Sequence, residues 1–222
     1  MTTFLGFDNR SLLPPFFPVQ RNADGIFGLL LQKYMTGSHV AFLPWVLLHA
    51  PEAPRAFSPD EVRSDGASVR MADVVIACVL GHQAGNGRFS DATRLGRLGK
   101  HLQELGALTL LDFEAHVRSL QRYRAHAFIT TLQSHLQTYG ASPPFWADDV
   151  TQVTELMLKA ATTEDYVVPR DLRHGRDVEQ ARRLSQQLVA RFGELLEAWP
   201  TLVAAATRLR ARGSRLTDPI EG

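Results

Sequence analysis

The amino-acid sequence predicts a mainly α fold in which a short N-terminal α/β segment, residues 1–57, is followed by a five-helix domain, residues 58–222. Two observations lead to this division. Six of the twelve prolines lie in residues 1–57 and a seventh follows at Pro59, which is typical of turns and short strands. From about residue 67 onward, apolar residues recur at the three- and four-residue spacing of amphipathic helices.

The N-terminal segment is predicted to begin with a loop and a helix. Residues 12–19 contain a Pro-Pro and a Phe-Phe pair, and they predict an extended loop lying against an apolar surface. A helix is predicted over residues 25–35, with Asp24 or Asn22 as its N-cap. Gly37 is expected near its end, because glycine often follows the last turn of a helix.

The C-terminal region is predicted to be helical throughout. The expected helices span residues 67–82, about 95–106, 111–138, 148–162 and 175–211. Pro200 lies inside the last of them, so this helix is expected to kink or break there.

Composition narrows the classes of partner and compartment. A formal net charge of +1 provides no global field that would attract nucleic acid, so the basic residues near the C-terminus are interpreted as a solvated helix end. Cys78 is the only cysteine, which excludes an internal disulfide, and its apolar neighbours predict a buried side chain. Neither a secretion signal nor an apolar run of ~20 residues is visible. We therefore expect a cytoplasmic protein with no transmembrane segment and no nucleic-acid partner.

The segment most suggestive of catalysis contains an aspartate and a histidine. Two strand-like runs, residues 39–43 and 45–49, are separated by Pro44 and end on His49. Asp24 at a helix N-terminus would be stabilised as a carboxylate and could act as a general base, and a strand-end histidine could bind a divalent cation. The alternative is that Asp24 is only an N-cap and that His49 only hydrogen-bonds a backbone carbonyl.

This order of elements resembles the closing section of family 2 glycosyltransferases, which have the A-type fold. In that family an acidic pair opens a helix, and two short strands then end in a histidine; here Ala23-Asp24 and His49 occupy those places. The resemblance covers about residues 4–55. It implies that Asp24 activates the acceptor and that His49 lies near the metal and diphosphate. It also implies a nucleotide-sugar donor and a divalent metal, manganese or magnesium, that offsets the charge of the leaving diphosphate.

The chain departs from the family pattern in two places. Ala23 stands where the family has glutamate, and neither the nucleotide-binding half nor its Asp-x-Asp metal motif is present in the sequence. We therefore expect the C-terminal portion of a glycosyltransferase, with an unknown acceptor and no activity alone, completed by a separate catalytic chain or a homo-oligomer. The alternative is a non-catalytic helical module that binds a protein partner.

Other polar segments give weaker indications. The glycine-rich loop of residues 81–88 could hold a phosphate, but an interhelix connection is favoured because the loop lacks the lysine and hydroxyl of a P-loop. The charged segment of residues 165–176 could clamp an acidic group with its arginines, but a structured connection is favoured. His101, His116 and His126 do not share a helix face at ligand spacing, so no zinc site is expected.

Overall fold

The computed structural model describes residues 7, 10–19, 22–37, 39, 58–83, 89–140 and 142–213. The helices in this part of the chain are α1 (Ala23–Tyr34), α2 (Pro59–Ala67), α3 (Met71–Gly81), α4 (Asp91–Gly106), α5 (Leu110–Tyr139), α6 (Pro144–Thr162) and α7 (Val178–Ala211). Two short 3₁₀ helices, Glu164–Val167 and Arg170–Leu172, connect α6 to α7. The mainly α prediction is therefore confirmed. The two predicted strands lie outside the described residues, apart from His39, and the described residues contain no strand.

The helices begin where hydrogen-bonding side chains satisfy the free N–H groups of a first turn. Ser58 and Asp177 each form a reciprocal capping box, at α2 and α7 respectively. Ser90 and Thr109 accept hydrogen bonds from N–H groups in the first turns of α4 and α5. These caps fix the helix starts independently of the core.

One hydrophobic core joins the N-terminal segment to the helical region. α4 and α7 form the most extensive helix pair, and the fully buried Leu98 and Leu196 belong to the same core as Tyr34 of α1. The N-terminal loop joins this core through Phe17, whose ring meets Phe192 edge to face at a centroid distance of 5.0 Å. The predicted boundary at residue 57 stays a prediction.

The helical region departs from the predicted five-helix pattern in three places. α2 was not predicted, because it buries no side chain and so has no apolar period. α6 begins at Pro144 rather than at Asp148, since proline is well suited to the first position of a helix. α7 continues through Pro200 to Ala211, so a break there is wrong, and a kink at this residue stays a prediction.

None of the helices in the described residues is both long and apolar enough to cross a membrane.

Candidate functional site

The first turn of α1 presents Asp24 without using it as a cap. The N-cap is Asn22, whose backbone is left-handed (φ 72°), a conformation that asparagine adopts more readily than most residues. Its side chain makes no capping hydrogen bond and instead lies over Gly25, where an added Cβ would come within 2.3 Å of the Asn22 Oδ1. Asp24 follows inside the first turn and is half-buried. The alternative prediction that Asp24 serves as the N-cap is therefore wrong.

The histidine predicted to lie beside Asp24 is not among the described residues. His49 lies outside the described residues, so its proximity to Asp24 stays a prediction. Within the described residues no group of three or more histidine, cysteine, aspartate or glutamate side chains could hold a metal ion. The described residues therefore do not themselves fit the divalent metal that the family resemblance implies, and we assign no chemical step to it.

A cavity of about 890 Å³ lies beside α5, and we name it the α5 cavity. Its lining residues come from the α2–α3 junction (residues 65–73), α5 (residues 121–131), Met157 of α6 and Tyr166 of the first 3₁₀ helix. Asn22 also lines it, which places the N-terminus of α1 at the same cavity. Its volume lies in the range of small-molecule sites, roughly 300–1,000 Å³.

Gln121 lines the α5 cavity and carries a buried donor without a partner. The side chain is only 4% exposed, and its Nε2 has no hydrogen-bond partner. Its Oε1 lies 3.5 Å from Nη1 of Arg124, which donates more strongly to the carbonyl oxygen of Asp73 at 2.9 Å. A buried amide N–H without a partner costs stability, so this donor would gain from a ligand oxygen.

The charges lining the α5 cavity balance one another. Arg70 donates to Asp65 Oδ2 at 2.6 Å, and Arg170, outside the cavity, pairs with the other oxygen of the same carboxylate. Arg124 Nη2 lies 3.9 Å from Asp73 Oδ1. The cavity therefore presents paired ions rather than an excess of positive charge, and an anion would have to compete with these carboxylates.

Aromatic surface lies open along the α5 side of the cavity. The Tyr123 and Phe128 side chains are 76% and 49% exposed, although large apolar side chains on a helix are usually directed toward a core. Tyr166 also lines the cavity and is buried, and this burial raises the pKa of its hydroxyl. The cavity thus combines flat apolar surface with a small set of hydrogen-bonding groups.

A second polar cluster, the histidine cluster, was missed by the sequence reasoning. The His82 and His101 rings lie 4.9 Å apart, and the Tyr34 hydroxyl lies 2.8 Å from Nδ1 of His82. Burial lowers the pKa of His82 and of His101, and repulsion from neighbouring positive charges, including that of Lys33, adds to both shifts. His116 also contributes to the repulsion at His101. These side chains come from different helices, so no spacing within one helix could have indicated them.

The charged segment between α6 and α7 is a structured connection, as favoured from the sequence. Its arginines are engaged with nearby groups: Arg170 with Asp65, and Arg173 with Asp165 Oδ2 at 3.0 Å. Val168 is buried in the main core. Of the glycine-rich loop, residues 84–88 lie outside the described residues, so the phosphate hypothesis stays a prediction.

Comparisons with protein-family models, with curated proteins and with solved structures find no significant match to this chain.

Proposed function

We propose that this chain provides the acceptor side of a nucleotide-sugar-dependent glycosyltransferase. The observation that carries the proposal is the position of Asp24, in the first turn of α1 and beside Asn22, which lines the α5 cavity. A carboxylate that is not used as a cap, at the positive end of a helix and two residues along the chain from Asn22, is suited to receive a proton from a bound hydroxyl.

The chemistry assigned to Asp24 is general-base catalysis. Its carboxylate removes the proton of the acceptor hydroxyl while that oxygen forms a bond to the anomeric carbon of the donor sugar. The bond between the anomeric carbon and the diphosphate oxygen breaks, and the diphosphate leaves with the electron pair. In this proposal the donor site belongs to a nucleotide-binding half that a separate catalytic chain would supply. The contribution of His49 and of a manganese or magnesium ion stays part of the proposal.

The experiment measures sugar transfer by the full chain combined with the separate catalytic chain that the proposal requires. Purified protein is incubated with radiolabelled nucleotide sugars, manganese and a panel of saccharide acceptors, and the products are separated and counted. Removing a general base typically lowers the rate by about 10²- to 10⁴-fold, so Asp24→Asn should reduce kcat by this factor. Binding of the nucleoside diphosphate should be unchanged.

Two results would count against the proposal. One is a transfer rate that Asp24→Asn leaves unaltered. The other is tight binding of nucleoside diphosphates with manganese by this chain alone in isothermal titration, because the donor site would then lie within it. The alternative function, a non-catalytic helical module that binds a protein partner, stays a prediction.

A further inference from the structure

We infer that the α5 cavity binds the acceptor of the proposed transfer, and that this acceptor is an uncharged saccharide. The role of this ligand as an acceptor rests on the proposed function, whereas its binding depends only on the cavity. Its volume of about 890 Å³ accommodates a mono- or oligosaccharide. Asn22, the N-cap of α1, lines the same cavity, and Asp24 follows it by two residues in the first turn of that helix.

The balance of charge in the cavity selects an uncharged ligand. Arg70 is paired with Asp65, and Arg124 contacts both the carboxylate and the backbone carbonyl oxygen of Asp73. A phosphate or carboxylate ligand would have to displace one of these partners and would be repelled by the carboxylates. An uncharged polyol can instead donate its hydroxyls to the aspartate oxygens and accept from the arginines without separating either pair.

Gln121 supplies the donor that such a ligand satisfies. Its Nε2 is buried, has no partner and belongs to a side chain that lines the cavity. The amide reaches a saccharide oxygen only if the Gln121 side chain rotates toward the cavity, and that hydrogen bond would then remove the penalty of the unpaired donor.

The exposed aromatic rings provide the second half of a saccharide site. One face of a pyranose ring carries axial C–H groups, which pack on a flat ring by dispersion and by removal of apolar surface from water. Tyr123 and Phe128 both line the cavity and leave much of their surface open. A lining that combines aromatic surface with hydrogen-bonding groups offers contacts to both kinds of surface on a sugar ring.

The test is saccharide binding by the full chain without nucleotide. Ligand-observed saturation-transfer NMR and isothermal titration are run with methyl glycosides of uncharged hexoses and N-acetylhexosamines and with their disaccharides. Glucuronate, glucose 6-phosphate and nucleoside diphosphates serve as charged comparisons. At least one uncharged glycoside should bind saturably, and each charged ligand should bind at least tenfold more weakly.

Variants locate the binding in the α5 cavity. Phe128→Ala and Tyr123→Ala should each weaken binding about threefold to tenfold, since they remove part of the apolar contact. The matched control is Tyr139→Ala, because Tyr139 is an exposed aromatic of α5 (62%) outside the cavity lining, and it should leave the affinity unchanged. Gln121→Met should weaken binding about twofold to tenfold, yet leave Tm unchanged or raised, because it removes an unpaired buried donor. A purely structural glutamine would instead lower Tm.

The outcomes separate this inference from the proposed function. If no uncharged saccharide binds, or if the cavity variants and Tyr139→Ala behave alike, the inference is overturned, while Asp24-dependent transfer by the combined enzyme would leave the proposed function standing. Preferential binding of the nucleoside diphosphates would overturn the inference and count against the proposed function as well. Saturable saccharide binding weakened only by the cavity variants would support the inference even if Asp24→Asn had no effect on transfer.

Discussion

Replacing Gly99 of α4 by alanine should destabilise the protein, because α4 and α7 are in backbone contact there. A Cβ at Gly99 would lie 2.6 Å from the carbonyl oxygen of Gly193 and 2.8 Å from the backbone nitrogen of Glu197. Ordinary Cβ contacts begin at 3.4 Å, so the two helices would have to separate by about 3.4 − 2.6 = 0.8 Å. Neither contact can be relieved by rotating a side chain.

Two opposing terms set the magnitude. Alanine is favoured over glycine in a helix by about 1 kcal/mol. Overpacking typically costs about 1–3 kcal/mol, and the upper value applies here because both neighbours are backbone atoms. The net loss is about 2 kcal/mol. For a chain of this length about 1 kcal/mol corresponds to roughly 2–4 °C, so Tm should fall by about 4–8 °C.

The assay is thermal unfolding followed by circular dichroism, with urea unfolding as a check on the free energy. Gly96→Ala is the matched control, because Gly96 lies on the same helix and an added Cβ there meets no atom within 4 Å. It should raise stability by about 0.5–1 kcal/mol. If Gly99→Ala proved as stable as Gly96→Ala, the close contact between α4 and α7 would be refuted.

Three further predictions concern single side chains. Burial raises the pKa of the Cys78 thiol to about 12, so a thiol reagent should label the native protein slowly and the unfolded protein rapidly. Rapid labelling of the native protein would contradict the burial of Cys78. Burial lowers the pKa of His82 and His101, so the unfolded state binds more protons than the folded state just below pH 6.5. Tm should therefore fall as the pH drops through this region, and it should fall less steeply in His101→Leu. A pH-independent Tm would contradict this prediction. Trp199 Nε1 donates a hydrogen bond to the carbonyl oxygen of Leu13 at 2.6 Å. Trp199→Phe should therefore lower the free energy of unfolding in urea by about 1 kcal/mol and make residues 10–19 more susceptible to limited proteolysis. Unchanged cleavage would contradict this anchoring role.

The fold class and the long helices followed from sequence because their apolar faces are long and periodic. Residues 111–138 and 175–211 were predicted to be helical, and α5 and α7 are observed at nearly these bounds. α2 was missed because it buries no apolar face and only the Ser58 capping box marks its start in the sequence. Pro200 was overrated as a helix breaker, since about three turns of α7 follow it.

Only part of the candidate site could be predicted from the sequence. Asp24 could be singled out because a carboxylate at the start of a helix is a local pattern. The α5 cavity could not, because Gln121, Asp73 and Tyr166 come from separate elements that only the packing of α3, α5 and the 3₁₀ helix brings together. The one sequence signal was the exposed aromatic pair on α5, which departs from a clean polar face.

The most direct test of the central claim is the rate of sugar transfer by the combined enzyme, compared with its Asp24→Asn variant at saturating acceptor. The proposal predicts that wild-type protein forms a glycosylated product and that the variant loses about 10²- to 10⁴-fold in kcat while still binding the uncharged saccharide. Equal rates for the two proteins, or product formed only from acceptors that do not bind this chain, would contradict it.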